Sequence, residues 1–148
     1  DKVYYDAASQ FEVGDSQIKQ VLMAAGISDF EIISLMRKDS LEMNDADREA
    51  VKQAVLASTA DHVLVTHGTD TMALTARHLG DAGGKTVVFT GAMQPARFHE
   101  TDAVFNIGFA LGTLANIGPG VYLAMNGRVF DPAKVRKNRD AGRFEEMV

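Results

Sequence analysis

Residues Thr66-His67-Gly68-Thr69-Asp70-Thr71-Met72 place hydroxyls, an imidazole and a carboxylate around a single glycine, immediately after the apolar run His62-Val63-Leu64-Val65. Gly68 lets the backbone turn sharply and come close to a ligand. Thr69 and Asp70 then stand at the entrance to a helical stretch, where free N–H groups and the positive end of the helix dipole favour an anion. Asp70 itself is suited to an ammonium group. A site offering both contacts fits a zwitterion such as a free amino acid. Thr69 is a weak nucleophile unless a neighbour takes its proton. A desolvated lysine is able to do so, and the best candidate lies in Asp131-Pro132-Ala133-Lys134-Val135-Arg136-Lys137-Asn138, after the apolar run Val121–Met125. Each feature also has a plainer reading. A Thr-Asp pair ahead of a helix commonly caps it, His67 reads as a structural hydrogen-bonder, and Lys134, Arg136 and Lys137 read as a solvated charged face.

The elements that must position these residues are legible as alternating short apolar runs and amphipathic stretches. Glu31–Met36, Val63–Thr66, Thr86–Thr90 and Val121–Met125 read as strands. Helices are expected over Gln17–Ala25, ended by Gly26, and over Asp45–Ser58, with Asn44 as N-cap and Val51, Ala54 and Val55 on one face. Two more are expected over Thr71–Leu79, stopped by Gly80, and over about Thr101–Leu114, with Val104, Phe105, Ile107, Gly108 and Leu111 spaced for packing. Near-continuous apolar strands separated by helices predict an α/β fold with a doubly wound, mostly parallel sheet covered on both faces. In such sheets ligands gather at the carboxyl ends of the strands, where Thr66–Thr71 falls. The opening stretch, residues 1–14, lacks a clear period and reads as a loop of the length that lids have.

Composition narrows the function classes. The 148 residues suffice for one domain with a substantial core. Hydrophobic content of 46% and charged content of 24% are ordinary for a globular protein. A net charge of −5 without a basic stripe argues against a nucleic-acid partner, and no apolar run approaches the roughly 20 residues of a membrane helix. The lack of cysteine excludes disulfides and thiolate metal sites and fits a cytoplasmic home. His62, His78 and His99 lack metal-ligand spacing. There is neither a glycine-rich phosphate loop nor a dinucleotide fingerprint.

Several motifs in consistent order resemble the bacterial-type L-asparaginases. Thr66–Met72 is similar to that family's T-H-G-T-D-T-M. Gly91-Ala92-Met93-Gln94-Pro95 resembles G-A-M-R-P, with Gln94 for the arginine. Asp102, Phe105 and Asn106 match D-x-x-F-N, and Asp39-Ser40-Leu41-Glu42-Met43-Asn44-Asp45 resembles G-S-Q-D-M-N-D. Met125-Asn126 and Val129-Phe130-Asp131 match the next strand and its exit, which sets Lys137 where the family's catalytic lysine falls.

The resemblance implies hydrolysis of L-asparagine, and of L-glutamine as a second candidate, to the acid and ammonia through a threonine acyl-enzyme. It implies a catalytic set of Thr69, Asp70 and Lys137. In it Thr69 activates the nucleophile or the water, Lys137 is its proton partner, and Asp70 holds the α-ammonium and helps to fix Lys137. Substrate contacts are expected from Ser40 to the α-carboxylate, from Gly68 and Asp70, and from the backbone of Ala92 to the amide. A homo-oligomer is implied as well, and neither a metal nor an organic cofactor is.

The chain also departs from the pattern. A T-G-G-T-I segment with the main nucleophilic threonine is expected immediately ahead of Asp1. The expectation for residues 1–148 is a single asparaginase-like domain without the family's opening strand and C-terminal domain. Phe11 stands where a mobile-loop tyrosine is expected, although Tyr4 and Tyr5 are close by, and Leu41 replaces a substrate-binding glutamine. Two competing readings follow from the residues: an amino-acid-binding sensor or pseudoenzyme of the same fold, and an unrelated flavodoxin-like domain for a nucleotide, against which the missing phosphate loop argues.

Overall fold

The computed structural model describes residues 2–5 and 10–147. The chain runs β1 (Lys2–Tyr5), β2 (Gln10–Val13), α1 (Ile18–Ala24), a 3-10 turn (Ser40–Glu42), α2 (Asp45–Ala57), β3 (His62–Thr66), α3 (Met72–Leu79), β4 (Thr86–Thr90), α4 (Ala103–Asn116), β5 (Gly120–Met125), β6 (Arg128–Phe130), a second 3-10 turn (Pro132–Lys134), β7 (Val135–Asn138) and β8 (Arg143–Glu146). The central sheet has the order β3-β4-β5-β6, with β3, β4 and β5 parallel and β6 antiparallel at the end. Its register aligns Thr66 with Thr90, so the loops leaving β3 and β4 start side by side.

All five residues of β4 are buried, as expected for a central strand covered on both faces. Its alternation divides the core. Val87 and Phe89 meet Val51 and Val55 of α2 and Met72, Ala76 and Leu79 of α3. Val88 faces the other way, onto Ala110 and Leu114 of α4. Helix α1 adds Ile18 and Leu22 to that side, against Ile107 and the half-buried Leu64. Helix α2 starts with a reciprocal cap: Asn44 Oδ1 accepts from the Asp47 amide at 3.0 Å, and Asp47 Oδ2 accepts from the Asn44 amide at 2.9 Å. Such a cap contributes about 1 kcal/mol. The β5–β6 hairpin turns through Asn126 and Gly127, both with positive φ (54° and 71°), the pairing that a two-residue hairpin loop favours.

Three expectations are corrected. The segment Glu31–Met36 forms no strand. A strand exists only through a ladder with a neighbour, and this segment has none among the described residues. Phe30 packs against the cluster of Ile18, Leu22 and Ile107 and Met36 against the larger core on the other side, while Ile32, Ile33 and Leu35 stay exposed. The opening stretch is not a plain loop, because β1 and β2 pair antiparallel, with Tyr4 opposite Phe11. Val3, Tyr4, Tyr5, Phe11 and Val13 are residue types that favour strands. Asp1 and residues 6–9 of that expectation lie outside the described residues. On α4, Val104 and Phe105 do not face the core. The buried stripe runs through Ala103, Asn106, Ile107, Ala110 and Leu114, and Phe105 instead stacks on Phe109.

Candidate functional site

Strand β3 delivers the turn His67–Thr71 to the carboxyl edge of the sheet, and α3 begins at Met72. The turn stays close to the sheet because the His67 amide continues the ladder by donating to the Thr90 carbonyl at 2.9 Å. Thr69 and Asp70 do not cap α3. The N-cap residue is Thr71, and its hydroxyl is used elsewhere, donating to the Ser40 carbonyl at 2.7 Å. Thr69 and Asp70 are thereby left for other partners.

Those partners come from β7. Lys137 Nζ donates to Thr69 Oγ1 at 2.7 Å and to Asp70 Oδ1 at 2.9 Å. Thr69 is buried, and the side chains of Lys137 and Asp70 are 16% and 20% exposed, so the pair is shielded from water far more than a surface ion pair. Arg139, in the β7–β8 turn, places Nη2 at 3.1 Å from the same Asp70 oxygen. A hydroxyl, an ammonium and a carboxylate joined in this way can move a proton between oxygen and nitrogen and hold the charge that results.

Ser40 joins the group from the other side. Asp39 caps the 3-10 turn by accepting from the Leu41 amide, and Ser40 is buried against Gly68. A Cβ at position 68 would stand 2.6 Å from Ser40 Oγ, so the contact requires glycine. Gly91, at the start of the loop after β4, packs equally closely on the His67 carbonyl, which brings Ala92 alongside the turn. The His67 ring donates Nδ1–H to the Gly68 carbonyl at 2.7 Å, while Nε2 is buried without a partner. Burial pushes its imidazole pKa down, which favours the neutral ring.

Behind these loops lies a network whose organising role the sequence did not disclose. Asp102 accepts from the amides of Met93 and Gln94 at 3.0 and 2.9 Å. Asn106, fully buried, donates to the Gly91 carbonyl at 3.0 Å and to Asp102 Oδ2 at 2.8 Å. Its oxygen accepts from the Asn126 amide at 3.2 Å, and Asn126 Oδ1 accepts from the Phe144 amide at 2.9 Å. The Ala92 loop, the β5–β6 turn and the β7–β8 hairpin are thus tied to one helix. Asp102, Asn106 and Asn126 stood in quoted motifs, which was the available signal. Arg139 had none.

Among the described residues, no group of three or more His, Cys, Asp or Glu side chains is arranged to hold a metal ion. No described helix is long and apolar enough to cross a membrane.

The family model "Asparaginase, N-terminal" matches residues 4–144. The chain is 32% identical over 130 residues to the probable periplasmic L-asparaginase of Haemophilus influenzae, covering 83% of this chain and 37% of that protein. It is 31% identical over 133 residues to the L-asparaginase of Thermococcus kodakarensis, covering 82% and 40%. The chain therefore spans about two-fifths of the length of these curated relatives. Its fold matches the solved structure of the thermostable L-asparaginase from Thermococcus kodakarensis with a TM-score of 0.80 at 23% identity, over 98% of this chain and 47% of that one. With its doubly wound α/β sheet and a family match over nearly its whole length, the chain belongs to the asparaginase family.

Proposed function

We propose that this chain forms the amide-binding and proton-transfer half of an amidohydrolase that converts L-asparagine to L-aspartate and ammonia. The observation that carries the reading is the placement of Lys137 Nζ between Thr69 Oγ1 and Asp70 Oδ1. In the charged form Lys137 holds Asp70 and stabilises negative charge on the Thr69 oxygen. Thr69 takes the proton of the attacking hydroxyl or water as its own passes to Lys137, and Lys137 gives up a proton to the departing nitrogen, so its charge is the same before and after. The threonine of the T-G-G-T-I segment that the family resemblance implies forms the acyl ester. Its oxygen bonds to the amide carbon, the carbon–nitrogen bond breaks, and ammonia leaves with a proton returned through Lys137. Water then repeats the attack on the ester and releases aspartate.

Ser40 takes the α-carboxylate, Gly68 lets the chain approach the substrate, and the Ala92 backbone meets the amide. No metal or organic cofactor enters this scheme. The same reading includes residues 1–148 as one asparaginase-like domain and a homo-oligomeric assembly.

The test is ammonia release from L-asparagine and L-glutamine by the full-length polypeptide, beside a Thr69→Ala variant. Turnover that the variant loses supports the proposal. Binding of asparagine or aspartate without turnover would replace it with an amino-acid sensor.

A further inference from the structure

We propose that Arg139 tunes the specificity of this site by reducing the charge that Asp70 can offer to an α-ammonium, so that L-asparagine loses part of its advantage over an ω-amide that carries the carboxylate but no α-amine. The inference rests on the amidohydrolase reading and deepens it. Asp70 Oδ1 already faces two cations, Lys137 Nζ at 2.9 Å and Arg139 Nη2 at 3.1 Å. One carboxylate against two cations leaves this corner with an excess positive charge. A substrate ammonium arriving at Asp70 would be the third cation around one anion, and Arg139 would repel it. A substrate without the ammonium meets no such opposition, and its carboxylate is drawn by the excess charge.

Three further observations point the same way. Among the described residues that line the open pocket shared by Asp70, Lys137 and Arg139, Asp70 is the one acid; Arg77 also lines it, and Arg136 there is paired with Glu145 at 2.7 Å. Leu41, next to Ser40, is 60% exposed and apolar, so its side chain gives an ammonium no partner. The turn bearing Arg139 is itself ordered. Asn138 Oδ1 accepts from the Ala141 amide at 3.0 Å, and the Arg139 carbonyl accepts from Gly142, whose φ is +59°. The guanidinium therefore starts from a fixed backbone position, although its side chain is 66% exposed.

The test compares two substrates with the full-length polypeptide: L-asparagine and the monoamide of butanedioic acid, which is L-asparagine without its α-amine. The readout is the ratio of kcat/KM for the two amides. Arg139→Met should move the ratio toward L-asparagine by at least about threefold, chiefly through KM, the size expected from a partly exposed charge. Arg139→Lys, which keeps the cation, should hold the wild-type ratio. A smaller shift in Arg139→Met overturns the inference. If neither amide is hydrolysed, calorimetric binding of butanedioate against L-aspartate decides it separately from the amidohydrolase reading. The same shift in relative affinity supports the role of Arg139, and an unchanged ratio overturns it.

Discussion

Lys137 Nζ lies 2.7 Å from Thr69 Oγ1, across 68 residues of sequence. The contact forms because β7 follows the β5–β6 hairpin back to the sheet edge where the β3–α3 turn projects. It gives a first prediction. Lys137→Met keeps the length of the side chain and its packing but removes the proton carrier, and Thr69→Ala removes its partner. Each is expected to lower asparagine turnover by at least about a hundredfold, the scale of a lost acid–base group. The thermal transition should move little, because neither change opens a large cavity. Ammonia release and a melting curve on the same preparations check both statements, and near-normal activity in either variant would show that the roles are misassigned.

Asn106 is a structural counterpart to that pair. It is fully buried and serves the Gly91 carbonyl, the Asp102 carboxylate and the Asn126 amide together. Asn106→Ala would strand these groups away from water, at about 1–3 kcal/mol for a buried unsatisfied group. Asn116→Ala serves as control, because Asn116 bonds only at the exposed end of the same helix, to the Gly112 carbonyl. Urea midpoints should fall clearly for the first variant and hardly for the second. Equal midpoints would show that the network does not hold the loops.

How much of this could be read beforehand follows from how local each determinant is. Thr86–Thr90 was legible as a strand because a continuous β-branched run suits burial on both faces, and Asn44 and Gly80 were legible because caps act within one turn. Glu31–Met36 has the same residue types as a strand yet lacks a ladder, and pairing is decided by a neighbour distant in sequence. Val104 and Phe105 looked like core because helical spacing is indifferent to which of two adjacent stripes faces inward. At the site, the Thr69-Asp70 pair was equally compatible with capping until Thr71 proved to be the N-cap residue. Chemistry asked for a lysine and pointed to residues 131–138, and motif order then singled out Lys137. Arg139 could not be found, since its ion pair depends on the conformation of the β7–β8 turn.

Gly68 offers a test of the Ser40 contact. A methyl group there would stand 2.6 Å from Ser40 Oγ and 2.8 Å from its Cβ. Gly68→Ala must push the 3-10 turn outward and loosen the bond from Thr71 to the Ser40 carbonyl. Overpacking of this kind costs about 1–3 kcal/mol. If Ser40 holds the substrate carboxylate, KM for L-asparagine should rise more than kcat falls. Steady-state kinetics with a denaturation curve separate the effects, and an unchanged KM would remove Ser40 from the substrate contacts.

His67 predicts a pH dependence with a definite sign. Burial holds its folded-state pKa below the ordinary value of 6.5, and Nδ1–H is committed to the Gly68 carbonyl. As pH falls through about 6.5 the unfolded chain takes up a proton that the folded chain refuses. Stability should therefore decline from that pH downward, until the folded-state pKa is reached. The contribution is fully present only above the unfolded value. His67→Asn keeps a donor near Nδ1 but cannot titrate. Melting temperatures at about pH 7.5 and pH 5.5 should draw together in this variant relative to wild type. If wild type and His67→Asn lose the same amount between the two pH values, the acid sensitivity comes from other groups and the imidazole is not held neutral by its burial.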